Sequence, residues 1–467
     1  MHLGGLTIIE GPPPPFQELL RHIRRRLHLV PRYRHKLAYT PLDRGRPVWI
    51  DDPSFNLEYH VRHTALPSPG TWEQLLRLTA RIFSQSLDRS KPLWEMWLIE
   101  GLEEDRCALI SKNHHALIDG ISGIDLATVL FDLSPQPAPV PHPARPWHPR
   151  QEPSARSLLT VGARGALRAA GEVAAGLAYA VTHPERALEK LIEASEGVAE
   201  VASAGMNPAP PTPLNVRIGP HRRFVGVRCT LADFKLVKNA FGGTVNDVVL
   251  AVVTGALRSF LISRGIETEG LQLRGLVPVS VRARDEHHQL GNRITAMRAP
   301  LPVYISDPLE RFTFMRHAME GLKESRQALG ASVLTEVQNF APPTVLAQAS
   351  RLNFSTRLFN LIVTNVPGPQ VPLYVLGRKM LHAYPIAFLP RNHALAIAIM
   401  SYNGEMNFGL LGDFDALPDI DTIGRHIEQE LASLLTLARD AQLAQEEAAE
   451  TSAGTAPQPK SSQPKSS

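Results

Sequence analysis

The sequence predicts a mixed α/β protein (α+β) with two halves of similar make-up. Its 467 residues exceed the size at which one hydrophobic core usually stops growing. Many of its 40 prolines lie in two bursts, at 135–153 and 208–213, where the chain can continue neither a helix nor a central strand. Outside the bursts, each half mixes strand and helix patterns. We therefore predict an N-terminal domain at 1–150, a helical linker at 151–214, a C-terminal domain at 215–440 and a disordered tail at 441–467.

The composition is that of a globular protein with a large core. Hydrophobic residues make up 43% and charged residues 20% of the chain, which excludes wholesale disorder. The net charge of +4 allows attraction to phosphates or anionic lipid but is too small to argue for nucleic acid. The two cysteines, Cys107 and Cys229, exclude a disulfide framework and a cysteine-based zinc site. The first residues lack a signal-peptide pattern, and no apolar stretch reaches the roughly 18 residues that span a bilayer. We therefore expect a cytoplasmic protein.

The first half and the linker contain recognisable helix and strand patterns. Apolar periodicity predicts a helix at 17–29, a strand at 106–112 and a helix at 123–133. The linker from 154 to 206 is rich in Ala, Leu, Glu and Arg, which favours helix, with a break at Thr182-His183-Pro184-Glu185 because proline suits a first helical position. A helical crossover between domains is favoured over an amphipathic helix on a membrane.

The second half repeats this mixture without a clear sequence repeat. The patterns predict a helix at 244–264, strands at 273–279, 361–366 and 394–402, and a last amphipathic helix at 419–437. The chain ends in Pro-Lys-Ser-Ser-Gln-Pro-Lys-Ser-Ser, a polar sequence that predicts disorder from about 441 onward.

The sharpest chemical feature follows the predicted strand at 106–112. It reads His114-His115-Ala116-Leu117-Ile118-Asp119-Gly120, so the histidines are expected at a strand end, where a rigid scaffold often presents catalytic groups. Histidine can take a proton from a hydroxyl and return it to a leaving group, and Asp119-Gly120 suits a tight turn. On the residues alone, two other interpretations stay open: a hydrogen-bonded histidine pair in the core, and a partial metal site without an evident third ligand.

This segment resembles the HHxxxDG signature of CoA-dependent acyltransferases, and its surroundings resemble bacterial wax ester synthase/diacylglycerol acyltransferases. The further blocks that match this family, in family order, are Pro92-Leu93-Trp94-Glu95-Met96-Trp97, Thr244-Val245-Asn246-Asp247-Val248-Val249, 274–282, Leu290-Gly291-Asn292-Arg293 and Thr364-Asn365-Val366-Pro367-Gly368-Pro369. The match runs from about residue 2 to residue 437. Family members usually carry a short segment before the Met-His-x-Gly-Gly stretch at which this chain starts. We therefore expect either a misassigned start or a missing first element.

The resemblance implies two chloramphenicol-acetyltransferase-like domains that form a pseudo-dimer with a channel between them. Acyl-CoA would enter as co-substrate from one side, and diacylglycerol or a fatty alcohol from the other, without a cofactor or a metal. His115 would be the general base, His114 would support it, and Asp119 would hold the loop against an unidentified arginine. The residues that the resemblance places at the substrates are Gly120, Asn246, Asp247, Pro92, Leu93 and Trp94.

Several of these residues have simpler explanations. Trp94 and Trp97 are favoured as core residues, since aromatic side chains dominate packing. Asn246 and Asp247 could equally be helix-capping residues. The basic run 21–26, with Arg32, Arg34 and Lys36, is usually a solvated helix face; its functional alternative is a docking patch for CoA phosphates or anionic lipid.

The predicted activity is acyl transfer to diacylglycerol, a fatty alcohol or both. Its rivals are a related CoA-dependent acyltransferase with a specialised acceptor and a non-catalytic lipid-droplet-binding protein. We expect peripheral contact with a membrane or lipid droplet, because such apolar substrates partition into lipid. The basic first helix and the linker helices are the candidate contacts, and nucleic-acid binding is not expected.

Overall fold

Two mixed six-stranded β-sheets form the framework of the protein. A computed structural model describes residues 1–39, 47–117, 129–137, 139–140, 146–154, 208–280, 294–324 and 356–454. The strands are β1 (His2–Ile9), β2 (His35–Ala38), β3 (Val48–Asp51), β4 (Val61–Ala65), β5 (Trp94–Leu102), β6 (Arg106–His114), β7 (Arg222–Thr230), β8 (Leu273–Ser280), β9 (Ile294–Leu301), β10 (Leu361–Pro367), β11 (Tyr374–Val375), β12 (Arg378–Ile386), β13 (Leu395–Tyr402) and β14 (Glu405–Asp413). The helices are α1 (Phe16–Arg26), α2 (Leu57–His60), α3 (Trp72–Ser84), α4 (Leu231–Phe241), α5 (Val245–Ser263), α6 (Pro308–Glu324) and α7 (Ile420–Gly454), with 3₁₀ helices at Leu27–Leu29, Pro31–Arg34 and His115–Leu117.

The first sheet has the order β11-β12-β1-β6-β5-β4 and is covered on both faces. Because successive side chains of a strand point to opposite faces, Cys107 and Leu109 of β6 lie in the cluster that contains α1, while Ala108 and Ile110 lie in the cluster that contains α3. Its central strand β1 approaches β6 closely, since a Cβ on Gly4 would come within 1.8 Å of the Ser111 carbonyl oxygen.

Two strands of this first sheet come from the last third of the chain. β12 pairs antiparallel with β1, from Gly4 opposite Ile386 to Ile9 opposite Met380, and β11 pairs with β12. The predicted domain boundaries stay a prediction, but residues 1–150 alone do not complete this sheet. A long-range strand pairing of this kind leaves no local pattern in the sequence.

The second sheet has the order β7-β14-β13-β10-β8-β9 and packs against α4, α5, α6 and α7. Strand β10 pairs in parallel with β13 and with β8, and the other strand pairs of this sheet are antiparallel. Helix α5 is apolar and long enough to cross a membrane, the one such helix among the described residues. The apolar side chains of α5 between Asp247 and Leu261 are buried in the core of this half. Packing therefore explains why the helix is apolar.

The two sheets meet where α3 faces β7. The backbone N–H of Arg222 donates to Ser84 Oγ at 2.9 Å, and Phe224 and Leu411 belong to the same buried cluster as Leu75 and Phe83 of α3. A cavity of about 720 Å³ lies along this junction. The predicted substrate channel between the halves remains a prediction.

The predicted strands and the predicted helix at 244–264 are confirmed, whereas two other predictions need correction. The first helix ends at Arg26 and continues as a 3₁₀ turn to Leu29. The last helix continues to Gly454, so disorder is wrong for 441–454, where Ala, Glu, Gln and Leu favour helix. The predicted helix at 123–133 lies mostly outside the described residues, and so does the linker from 155 to 207.

Candidate active site

His114 and His115 lie where β6 ends, as predicted. His114 is the last residue of β6, and His115 begins a 3₁₀ turn. The His114 N–H donates to the Leu93 carbonyl at 2.9 Å, and the His115 N–H donates to the Met1 carbonyl at 3.0 Å. Leu93 precedes β5 and Met1 precedes β1, so both neighbouring strands fix the position of this strand end.

The His115 side chain is exposed and stands edge-on to an aromatic ring. Its ring centroid is 5.6 Å from that of Phe388, at an interplanar angle of 81°. Phe388 follows β12, so a distant segment of the chain supplies a wall beside the predicted base. An accessible imidazole with one side fixed by an aromatic ring can receive a proton from a bound hydroxyl.

His114 has a different environment from its neighbour. Its ring is half-buried, and its Nδ1 accepts a hydrogen bond from the Ala116 N–H at 3.2 Å. Burial, followed by nearby positive charges including Arg89, lowers the pKa of His114 to about 4. His114 is therefore neutral at pH 7 and holds the turn that carries His115, an arrangement that suits the predicted supporting role.

A buried lysine anchors β6 two residues before His114. Lys112 is fully buried, and its ammonium donates to the Ile82 carbonyl at 2.7 Å, the Gln85 carbonyl at 2.7 Å and Glu95 Oε1 at 2.8 Å. Burial lowers the pKa of Lys112, opposed by Glu95. This anchor was not predicted from the sequence. Lys112 and Glu95 face each other across β5 and β6, and only the register of the two strands could have revealed the pair.

The Pro92-Leu93-Trp94 block is buried and supports this strand end from the core. Trp94 is 2% exposed, and its indole N–H donates to the Tyr33 carbonyl at 2.8 Å. Its ring stacks on His60 at a centroid distance of 4.7 Å. The structure thus places Trp94 among core residues, as its packing alternative expected, while contact of this block with substrate stays a prediction.

Two predicted site residues, Asp119 and Gly120, lie outside the described residues, and so does Asn292. Val129 and Leu130 follow that gap in helical conformation. The role of Asp119 and its arginine partner therefore remain predictions.

Asn246 and Asp247 begin α5 and differ in what they contact. Asp247 completes a capping box, in which its Oδ2 accepts from the Thr244 N–H at 2.8 Å and its own N–H donates to Thr244 Oγ1 at 3.3 Å. Asn246 instead reaches the end of β10, where its Oδ1 accepts from Asn365 Nδ2 at 3.3 Å. Helix capping therefore accounts for Asp247. Asn246 instead links the family block at 244–249 to the family block at 364–369.

Within the part of the chain that the structure describes, no group of three or more His, Cys, Asp or Glu side chains could hold a metal ion.

Solved structures place this arrangement in a known class of fold. The chain is similar to the wax ester synthase/diacylglycerol acyltransferase from Marinobacter aquaeolei VT8, with a TM-score of 0.66 and 28% identity over 94% of this chain and 95% of that one. The first condensation domain of the CDA synthetase is similar in fold alone, with a TM-score of 0.56 and 16% identity over 94% of this chain and 91% of that one. The protein therefore has the two-part, chloramphenicol-acetyltransferase-like fold that the sequence predicts.

Sequence comparisons identify the family within that class. The wax ester synthase/diacylglycerol acyltransferase catalytic domain matches residues 1–249, and the WS/DGAT C-terminal domain matches residues 290–435. A probable diacylglycerol O-acyltransferase of Mycobacterium tuberculosis (strain ATCC 25618 / H37Rv) is 33% identical over 439 residues, which cover 94% of this chain and 92% of the relative. The chain belongs to the wax ester synthase/diacylglycerol acyltransferase family.

Proposed function

We propose that this protein transfers a long-chain fatty acyl group from acyl-CoA to the hydroxyl group of diacylglycerol or a fatty alcohol. The products are triacylglycerol or a wax ester, and CoA is released. Family membership supports this activity, and the observation that carries it is the accessible His115 ring at a strand end fixed by both neighbouring strands.

His115 acts as the general base in the proposed reaction. An alkanol is too weak an acid to ionise at neutral pH, so His115 removes the hydroxyl proton as the oxygen attacks the thioester carbonyl. The carbon–sulfur bond then breaks, and the imidazolium gives its proton to the departing CoA thiolate. No covalent enzyme intermediate is required. His114 holds the turn, and Asp119 holds the following loop against an arginine.

Diacylglycerol is the acceptor to test first. Curated relatives at 33% and 34% identity are named as diacylglycerol O-acyltransferases. A fatty alcohol is the second acceptor, because the matching family comprises wax ester synthases as well. Acyl-CoA serves as the donor in this proposal, and His115 supplies the proton chemistry without a further cofactor.

We also propose that the protein works in the cytoplasm while peripherally associated with a membrane or lipid droplet. The support is chemical: both acceptors dissolve in lipid, and the net charge of +4 favours an anionic surface. Flotation with vesicles that contain anionic phospholipid tests this, and we expect co-flotation at low salt that weakens at high salt. Failure to float at low salt would contradict the proposal.

An acceptor panel tests the activity itself. The purified chain is given palmitoyl-CoA with dioleoylglycerol, hexadecanol or an amine acceptor, and both CoA release and the lipid product are measured. We expect product with dioleoylglycerol, hexadecanol or both, and about 10²–10⁴-fold less with His115→Ala. Product only with the amine would favour a specialised acyltransferase, and no product with any acceptor would favour a non-catalytic lipid-binding protein.

A further inference from the structure

A strongly basic cavity of about 1020 Å³ lies between α1, the antiparallel strand pair β2 and β3, and residues 146–153, which form neither helix nor strand. We call it the α1 cavity. Its lining includes five arginines, three histidines and two tryptophans: Arg21, Arg24, Arg25, Arg34, Arg150, His28, His35, His148, Trp49 and Trp147. The lining arginines of α1 are exposed, as on a solvated helix face, and they also border this concave space.

The positive charge of the α1 cavity has little compensation within its lining. Asp51 is the one carboxylate among the lining residues, and it is already engaged. Its Oδ1 lies 3.0 Å from His35 Nε2, and its Oδ2 accepts from the Arg150 N–H at 2.9 Å. Outside the lining, Glu18 reaches Arg21 at 3.9 Å in an exposed pair, which adds little in water. The space therefore favours an anion with several negative charges.

Two buried side-chain nitrogens in the lining lack a hydrogen-bond partner among the described residues. They are Arg34 Nε and His35 Nδ1. Burial also lowers the pKa of the Arg34 side chain. Because buried polar groups in folded proteins are almost always paired, these atoms point to a ligand or solvent in the cavity.

Aromatic rings border the same space. The Arg34 guanidinium lies 4.4 Å from the ring centre of Trp147, and the Arg32 guanidinium lies 4.9 Å from that of Trp49. Arginine and tryptophan planes of this kind recognise a nucleobase by stacking, while guanidinium groups bind phosphates through paired hydrogen bonds.

We infer that the α1 cavity binds the nucleotide portion of acyl-CoA, an adenosine that carries a 3′-phosphate and a 5′-diphosphate. This inference rests on the proposed use of acyl-CoA. Five arginines and one carboxylate complement a ligand with several phosphate charges, and the tryptophans offer stacking surfaces for its base. A planar bilayer fits this cavity poorly because three chain segments wall it.

Helix α1 also contacts residues that follow the active-site motif in the chain. On its buried face, His22 Nε2 is 2.8 Å from the Leu130 carbonyl, and Arg26 donates to Asp132 at 2.8 and 3.0 Å. Leu130 and Asp132 follow the segment that begins with His114 and His115. A nucleotide held by the exposed face of α1 is thus bound to the helix whose buried face contacts Leu130 and Asp132.

Direct binding tests the inference without any turnover. The ligands are adenosine 3′,5′-bisphosphate and inorganic pyrophosphate, titrated by calorimetry into the full chain and into Arg24→Ala/Arg25→Ala, in which both altered side chains are exposed. We expect the nucleotide to bind the wild type, and the variant to bind it about tenfold or more weakly. The matched control is Lys235→Ala/Arg439→Ala, two exposed cations on α4 and α7, which should leave Kd within twofold. Equal affinity for pyrophosphate and nucleotide, or an unchanged Kd in the arginine variant, would overturn the inference.

A truncated donor separates this inference from the proposed function. Acyl N-acetylcysteamine thioesters present the reacting bond but lack the nucleotide. Arg24→Ala/Arg25→Ala should raise KM for acyl-CoA about tenfold or more and change KM for the truncated donor less than twofold. An equal rise for both donors would overturn the nucleotide site. No turnover of either donor by the wild type would instead refute the proposed function, and the calorimetry would still decide the site. Loss of vesicle flotation with unchanged nucleotide binding in this variant would identify the cavity as a lipid contact and overturn the inference.

Discussion

The buried Lys112–Glu95 pair gives the most direct test of how the strand end is held. Lys112→Met keeps an unbranched side chain of similar length but removes the ammonium. It leaves the Ile82 and Gln85 carbonyls without their donor and leaves Glu95, 6% exposed, with Arg62 at 3.5 Å as its remaining cation. Breaking a buried pair by removing one partner costs about 3–5 kcal/mol, because the other charge stays buried.

This cost predicts a large change in melting temperature. For domains of 150–250 residues, each kcal/mol lowers Tm by about 2–4 °C, so Lys112→Met should lower Tm by roughly 10 °C. Turnover at 20 °C, where the variant is still folded, should fall about ten- to a hundredfold, because a displacement of His115 near 1 Å is enough for such a loss.

Differential scanning calorimetry measures the effect, with two comparison variants. Lys235→Met alters an exposed lysine and should shift Tm little, since surface substitutions usually stay within about 0.5 kcal/mol. Lys112→Met/Glu95→Leu removes both charges and should recover much of the lost stability, as replacing a whole buried pair often does. A shift below 2 °C for Lys112→Met alone would refute the reasoning that this pair anchors β6.

Three further predictions concern single side chains. His115→Ala should lower turnover by about 10²–10⁴-fold with Tm unchanged, because the ring is exposed and supplies the proposed base; His317→Ala, an exposed histidine of α6, is the control, and near-wild-type turnover in His115→Ala would exclude the mechanism. Asn246→Ala should lower turnover with little change in Tm, whereas Asp247→Ala should cost about 1 kcal/mol of stability by removing the cap; the reverse pattern would contradict the distinction between them. Burial lowers the pKa of His60 to about 4 from 6.5, so the unfolded chain binds more protons between these values and stability falls as pH falls. At pH 5 the loss of stability is about 2 kcal/mol relative to pH 7.5. Tm is measured against pH for the wild type and for His60→Phe, and the same pH dependence in both proteins would show that His60 does not titrate in this way.

The sequence predicted those parts of the fold that depend on local patterns. The helix at 244–264 was placed closely because Thr244 caps it and its apolar face is continuous, and β8, β10 and β13 were found from short apolar runs bounded by polar residues. The strand-end position of His114 and His115 followed from the same logic, since an apolar strand ended at the motif.

The sequence could not predict the contacts that depend on strand register or on long-range pairing. Phe388 stands beside His115 only because β12 joins the first sheet, and Glu95 meets Lys112 only because β5 and β6 align in one register. The α1 cavity was partly visible as a basic run. Trp49 and Trp147 also line the cavity, and nothing in the sequence pattern connects these two residues to α1.

Because β11 and β12 from the last third of the chain complete the first sheet, the structure makes a specific prediction about the isolated first half. A fragment of residues 1–150 lacks β11 and β12, which leaves the β1 edge of the first sheet without its partner strand. It also loses Phe224, Tyr384, Ile386 and Leu411 from the cluster that buries α3. At about 1.5–3 kcal/mol for each buried side chain, this loss is roughly 6–12 kcal/mol, comparable with the whole stability of a typical domain.

We therefore expect the fragment to be inactive and to aggregate or to lack a cooperative melting transition, despite its intact HHxxxDG segment. An unpaired edge strand that carries Leu6 and Ile8 is exposed to pairing with other copies. Co-expression with residues 207–440, which contain β11, β12 and Phe388, should restore a soluble complex and some turnover. Co-expression with residues 207–370, which lack β11 and β12 and also β13, β14 and α7, should rescue neither property. A soluble fragment of residues 1–150 that melts cooperatively and transfers acyl groups on its own would contradict both the dependence on β12 and the need for a wall from the second half.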